Sequence, residues 1–426
     1  MKNWIVLTIA MLSVGISFGQ EPGVKAKPEK STPTAKEATD DARAFVAIDL
    51  TPSEADKALE DFKKRIGWGA DGMVKTKEGR VYLFAYGEAT LSSKREPGWV
   101  QKRILALGEA ELKARADMAK TIGLTIESGQ FFEQFDGPSA EMIGRLKELK
   151  AEAAKGGKAA DFYKEATAIT ASQQVVGAVT AKTIEGEGAD GEYKIIRVLM
   201  WSPVLFDLAV NTLADSKNYL PAEDMKDTAE QQIPADEAEL VKEVGAKVYL
   251  NKAGQRYYVA FGQAEPLAEN KAAATRAVAV AKERAELHAY GQLARTLAAS
   301  VSLVKEDQQS VLKTFDAGGP AEKLTAAFYQ RIESDSKDLK ISGTVTVRTW
   351  QYQHPNWKLP VVGTVVVWTP ARQEAVKKLG LGQKIDPKAT DQLIDLLAKK
   401  YGVAAPPTVG KGGKPGVTES KDPVIK

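Results

Sequence analysis

Val198-Leu199-Met200-Trp201-Ser202-Pro203 returns as Val365-Val366-Val367-Trp368-Thr369-Pro370. With seven tryptophans in 426 residues, an apolar triplet followed by Trp-Ser/Thr-Pro occurring twice is hard to attribute to chance. Upstream, residues 85–122 align without a gap on residues 260–297. Ala85/Ala260, Gly87/Gly262, Ala89/Ala264, Ala106/Ala281, Ala110/Ala285, Glu111/Glu286, Leu112/Leu287, Ala114/Ala289, Ala119/Ala294 and Thr121/Thr296 are identical. Phe135-Asp136 recurs as Phe315-Asp316, and Gly177-Ala178-Val179-Thr180 as Gly343-Thr344-Val345-Thr346. All matches keep the same order along the chain, the mark of a repeated structural unit.

Each copy has the same local pattern. Ala55, Leu59, Phe62 and Ile66 share one helical face, and Gly67 ends that helix. An extended stretch at Met73–Lys75, a Lys77-Glu78-Gly79 turn and a strand over Arg80–Ala89 follow. The second copy offers a helix over Ala235–Val244, a strand over Lys247–Leu250, a Lys252-Ala253-Gly254 turn and a strand over Arg256–Ala264. The glycine of each turn supplies the positive φ of a tight hairpin. Long alanine-rich helices come next, Trp99–Gly123 and Glu269–Ala299, favoured by alanine's propensity. Further helices are expected over Ser139–Thr167 and Ala321–Ser334. Strand pairs close the copies: Ala171–Ile184 with Lys194–Trp201, and Ile341–Tyr352 with Val361–Trp368. The fold class is α+β. It comprises two tandem two-layer units, each of antiparallel strands packed on one long Ala-rich helix plus shorter helices.

The strand motif Ala85-Tyr86-Gly87-Glu88-Ala89, repeated as Ala260-Phe261-Gly262-Gln263-Ala264, precedes a long alanine-rich helix and a late Val/Thr strand pair. In this the chain resembles the lipoprotein-20-type domains of the bacterial envelope and the N-terminal domain of a flagellar assembly protein, in two tandem copies. The resemblance implies an envelope-associated α+β domain with no established catalytic residues. The chain departs from the pattern in lacking a lipid-attachment cysteine.

The ends read differently from the middle. Met1-Lys2-Asn3 precedes an apolar run from Trp4 to Phe18, and Ser17-Phe18-Gly19 has the small residues of a cleavage site. The run is shorter than the ~20 residues needed to span a bilayer. Residues 1–19 therefore read as a signal peptide removed near Gly19, with a periplasmic or secreted product. Residues 20–44 read as a disordered spacer, poor in large apolar side chains. Copy 1 occupies 45–213, a linker 214–233, copy 2 234–380, a C-terminal helix 381–403, and a disordered Pro/Gly/Lys-rich tail 404–426. No transmembrane segment is expected.

Composition excludes several functions. Lys+Arg 59 against Asp+Glu 56 gives a net charge of +3, without the basic excess that nucleic-acid binding requires. Without cysteine there is no disulfide, thiolate metal site or thiol nucleophile. The two histidines, His288 and His354, leave little scope for a histidine-based metal centre, so no cofactor and no metal are expected. Gly186-Glu187-Gly188-Ala189-Asp190-Gly191 lies between strands and reads as a turn, not a phosphate loop. Asp136 and Asp316 read as turn or cap residues, and His288 as a boundary residue on its helix.

One cluster invites a binding function: Trp350, Tyr352, His354 and Trp357, aromatic side chains around a hairpin whose counterpart in copy 1, Thr183–Tyr193, lacks the cluster. Flat rings with neighbouring amides can stack on a sugar or grip a protein, and they can equally cover a sheet face. The leading expectation is an exported non-catalytic binding or scaffold protein of the bacterial cell envelope, with an envelope protein as partner. The alternatives are a carbohydrate-binding module using the aromatic hairpin and a carboxylate-dependent hydrolase, for which no acid pair can be singled out.

Overall fold

The computed structural model describes residues 33–50, 54–128, 130–135, 156–211, 218–268, 270–305, 341–370 and 395–402, with isolated positions between them. The signal-peptide reading, Asp136, Asp316, most of 139–155, nearly all of the Ala321–Ser334 helix, 381–394 and the tail lie outside the described residues.

The first unit runs α1 (Ala35–Val46), α2 (Ala55–Ile66), β1 (Met73–Lys75), β2 (Val81–Leu91), α3 (Trp99–Ser128), α4 (Gln130–Gln134), α5 (Lys158–Gln174), β3 (Val179–Glu187), β4 (Tyr193–Trp201) and α6 (Pro203–Asn211). The second runs α7 (Ala222–Gln232), α8 (Glu237–Leu240), β5 (Gly245–Leu250), β6 (Arg256–Ala264), α9 (Ala274–Lys305), β7 (Val345–Gln353) and β8 (Pro360–Trp368). Residues 395–401 are helical and pack on α5, where Lys400 pairs with Glu165 at 3.1 Å.

The two sheets have one topology. Their orders are β1-β2-β4-β3 and β5-β6-β8-β7, every pairing antiparallel. Even the irregularity repeats, with a bulge between Thr180 and Lys182 and another between Thr346 and Arg348. The extra residue puts the two members of each pair on opposite sheet faces. Strict alternation would have put Thr346 and Arg348 on one face; the bulge corrects that. Thr346 bonds Glu286 of α9, whereas Arg348 reaches the carbonyls of Pro234 and Ala235. Lys182 likewise donates to the carbonyls of Val46 and Ile48 at 2.7 Å. In each unit the cation after the bulge ties down the chain that enters the unit.

The Ala-x-Gly-x-Ala motif has a packing cause. A Cβ on Gly87 would lie 2.2 Å from the Ala114 nitrogen and 2.3 Å from the Ala110 carbonyl oxygen. On Gly262 it would lie 1.8 Å from the Ala285 oxygen and 2.6 Å from the Ala289 nitrogen. Glycine in the strand and alanine in the helix let the two backbones touch, at matched positions in both units. The tryptophans of the opening motif match as well. Trp201 donates to the Gln174 carbonyl at 2.7 Å and Trp368 to the Ser342 carbonyl at 2.9 Å, both fully buried.

Several boundaries differ from the sequence reading: the long helices run Trp99–Ser128 and Ala274–Lys305, α8 covers only Glu237–Leu240, and β7 begins at Val345. Residues 35–46 are helical rather than spacer: Thr34 and Glu37 form a capping box, and Ala38 and Phe45 pack against Tyr82 and Phe84. The stretch read as a linker contains α7, whose Met225 and Ala229 are buried with Tyr257 and Val259, the place α1 holds in the first unit. Residues 171–174 continue α5, and the strand begins at Val179, because Ala171 and Val175 face the core cluster around Ile122 and Phe162.

Candidate functional site

The aromatic hairpin lies in the joint between the units. Trp350 and Trp357 are 4% and 5% exposed. Trp357 packs on Trp99 at a centroid distance of 5.0 Å and donates to the Tyr193 hydroxyl at 3.3 Å. Trp350 covers Gly363 on the neighbouring strand, where any Cβ would strike the indole. Tyr352 and His354 are half-buried at the edge. The sequence grouped these four correctly in space, but their ring faces are turned into the protein. Stacking on a sugar needs an open ring face, which Trp350 and Trp357 do not present.

The residues sequence reasoning missed are polar. Arg103, on the otherwise apolar line of α3, is 1% exposed. It bonds Glu185 at 2.6 Å, the Gln263 side chain at 3.1 Å and the Val241 carbonyl at 3.2 Å, with its guanidinium 4.6 Å from the Trp357 ring. Gln263 in turn donates to the Val241 and Glu243 carbonyls at 2.9 Å, closing the end of α8. Glu265, also buried, accepts from the backbone N–H groups of Gly98 and Val100 at 3.1 Å each. A carboxylate of the second unit thus caps the N-terminus of the first unit's long helix, where orphan donors and the helix dipole favour negative charge. Arg103 left a signal, a cation at a position whose neighbours at three- and four-residue spacing are all buried.

A second ionic group lies about two turns along α3. Glu111 pairs with Arg115 at 2.7 Å and Arg197 at 3.2 Å, and Arg197 also donates to the Val244 carbonyl of the second unit. Burial raises the Glu111 pKa, but the two guanidinium charges overcome it and hold the pKa down to about 2. Burial pushes His354 down to about 4, with Arg103 adding to the effect. Burial likewise pushes His288 down to about 4, and its Nδ1 accepts the Gln263 N–H. Tyr193 is raised by burial and by the Glu185 charge. These carboxylates are all committed to arginines, backbone amides or helix ends. Among the described residues, no group of three or more His, Asp or Glu side chains could hold a metal ion.

The joint is specific to this pair of units. The α9 positions equivalent to Trp99, Arg103 and Leu107 are Ala274, Val278 and Lys282, so α9 offers no surface for a third unit to stack on in the same way. No helix of the described residues is long and apolar enough to cross a membrane.

No family model matches the chain, and no curated protein matches it significantly. Among solved structures, it is similar to the 2.3 Å crystal structure of a hypothetical protein from Francisella tularensis. Identity is 18% and the TM-score 0.49, over 78% of this chain and 98% of that one.

Proposed function

We propose that the chain is an exported, non-catalytic binding or scaffold protein of the bacterial cell envelope, with an envelope protein as its partner. What carries this reading is the nature of the duplicated residues. Gly87/Gly262, Ala110/Ala285, Ala114/Ala289 and Trp201/Trp368 are packing residues, and the bulge cations Lys182 and Arg348 are structural ties. Buried polar groups that could have formed a reaction centre are spent on fixing one unit to the other, Arg103 on Gln263 and Glu265 on the amides of Gly98 and Val100. The duplication preserved a rigid body and not a reactive constellation. The leader-like residues 1–19 and the resemblance to envelope domains supply the compartment.

Expression in a bacterium with crosslinking and fractionation tests the proposal. The expected result is a mature N-terminus at Gln20, recovery in the periplasmic or envelope fraction, and crosslinking to a different envelope protein. An uncleaved cytoplasmic chain, or one recovered with no such partner, overturns it.

A further inference from the structure

Matched exposed positions are harder to explain than matched buried ones. Leu112 and Leu287 are identical between the copies, and Leu105 corresponds to Val280, yet all four are exposed. On α9 the apolar pair brackets two charges: Val280, Glu283, Arg284 and Leu287. Their i, i+3, i+4, i+7 spacing puts them on one helix face, opposite the line Ala281, Ala285 and Ala289 that meets the sheet. Leu287 is 69% exposed, and both charges are exposed. Glu283 and Arg284 make no ion pair with any described residue.

This face is complementary to itself. A two-fold axis perpendicular to the helix, passing between Glu283 and Arg284, sets Val280 beside the partner's Leu287 and Glu283 beside the partner's Arg284. The same contacts form again in the reverse sense, as an isologous interface requires. The flanks suit close approach, since Ala279 and Gly291 are small and a Cβ on Gly291 would meet nothing within 4 Å. The equivalent face of α3 lacks this property. Gly108 stands in place of the acid, and Glu109, where α9 has the base, is already paired with Lys113 at 2.8 Å. About the same axis Glu109 would face only the partner's Gly108, so two α3 helices have no such charge pair to form.

We propose that α9 is a self-association surface, through which two copies of this chain pair antiparallel about Glu283 and Arg284. A contact between single helices is small against the roughly 1,200–2,000 Å² of a stable specific interface, so the dimer is weak and concentration-dependent. It is independent of the envelope-partner reading, which places no partner on α9.

Sedimentation equilibrium of the chain from Gln20 to Lys426 tests this. The expected result is a reversible monomer–dimer equilibrium. Leu287→Glu and Arg284→Glu each weaken it at least about tenfold, the latter by setting acid against acid. The exchange Glu283→Arg with Arg284→Glu restores it to within about threefold, because each charge again meets its opposite. Leu112→Glu on α3 leaves it unchanged. Matching circular dichroism melts confirm that the exposed variants are folded. A chain that stays monomeric at high concentration overturns the proposal. So does a dimer dissolved by Leu112→Glu but not by Leu287→Glu, and so does a charge exchange that fails to restore pairing.

Discussion

His354 lies flat on Trp357, with ring centroids 3.7 Å apart and planes 8° from parallel. The Nδ1 of His354 accepts the Trp357 backbone N–H at 3.2 Å, so the neutral ring carries its proton on Nε2. The same indole also meets Trp99 and Arg103 of the first unit. One side chain therefore joins the second unit's hairpin to the first unit's long helix. Trp357→Ala is expected to cost about 3–5 kcal/mol, as for a buried tryptophan elsewhere. Chemical denaturation should show the loss, along with separate transitions for units that unfold together in the parent.

The pH dependence of stability follows from the buried histidines and Glu111. His288 and His354 titrate near 4 in the folded protein against 6.5 in an unfolded chain. Their neutral forms contribute full stability above 6.5, and this is lost as the pH falls from 6.5 toward 4, because the unfolded chain takes up protons first. Glu111 moves from 4.5 down to about 2, so its contribution is present above 4.5 and disappears as the pH falls through 2. Urea midpoints measured across pH should decline through both windows. A double variant His288→Asn with His354→Phe should flatten the upper window alone, and Glu111→Gln the lower.

Four glycines divide by what surrounds them. Gly87→Ala and Gly262→Ala drive a methyl group into helix backbone at about 2 Å and are expected to destabilise by about 3 kcal/mol or more. Gly108→Ala and Gly291→Ala add a methyl in open space within a helix and should stabilise by about 0.5–1 kcal/mol each. Thermal denaturation of the four variants gives the comparison directly.

Arg103 holds the joint from within. Arg103→Met leaves the largely covered Glu185 carboxylate without its guanidinium and should cost about 3 kcal/mol. Adding Glu185→Gln should recover much of that, because the uncompensated charge is gone. A double-mutant cycle on equilibrium unfolding measures the coupling.

The architecture of each unit is legible in its local residue pattern. Glycine at 87 and 262 facing alanine at 110, 114, 285 and 289, and tryptophan at 201 and 368, are local solutions to the packing of one helix on one sheet. Their one-dimensional order therefore survives in the text of the chain. The bulges at Thr180 and Thr346 did not show, because an inserted residue looks like any other until its partner strand is known. The helix at residues 35–46 was obscured by a polar composition, and its Thr34–Glu37 cap emerged only with the structure.

How the two units meet is a property of the folded chain alone. Trp350 and Trp357 carry the same residue types whether they face a ligand or a neighbour, and period-two alternation does not tell which. Arg103, Glu185 and the pair Gln263 and Glu265 come from three separated points of the chain. Burying a charge is favourable only when its partners arrive in the right geometry, and that geometry is set by the docking of one unit on the other.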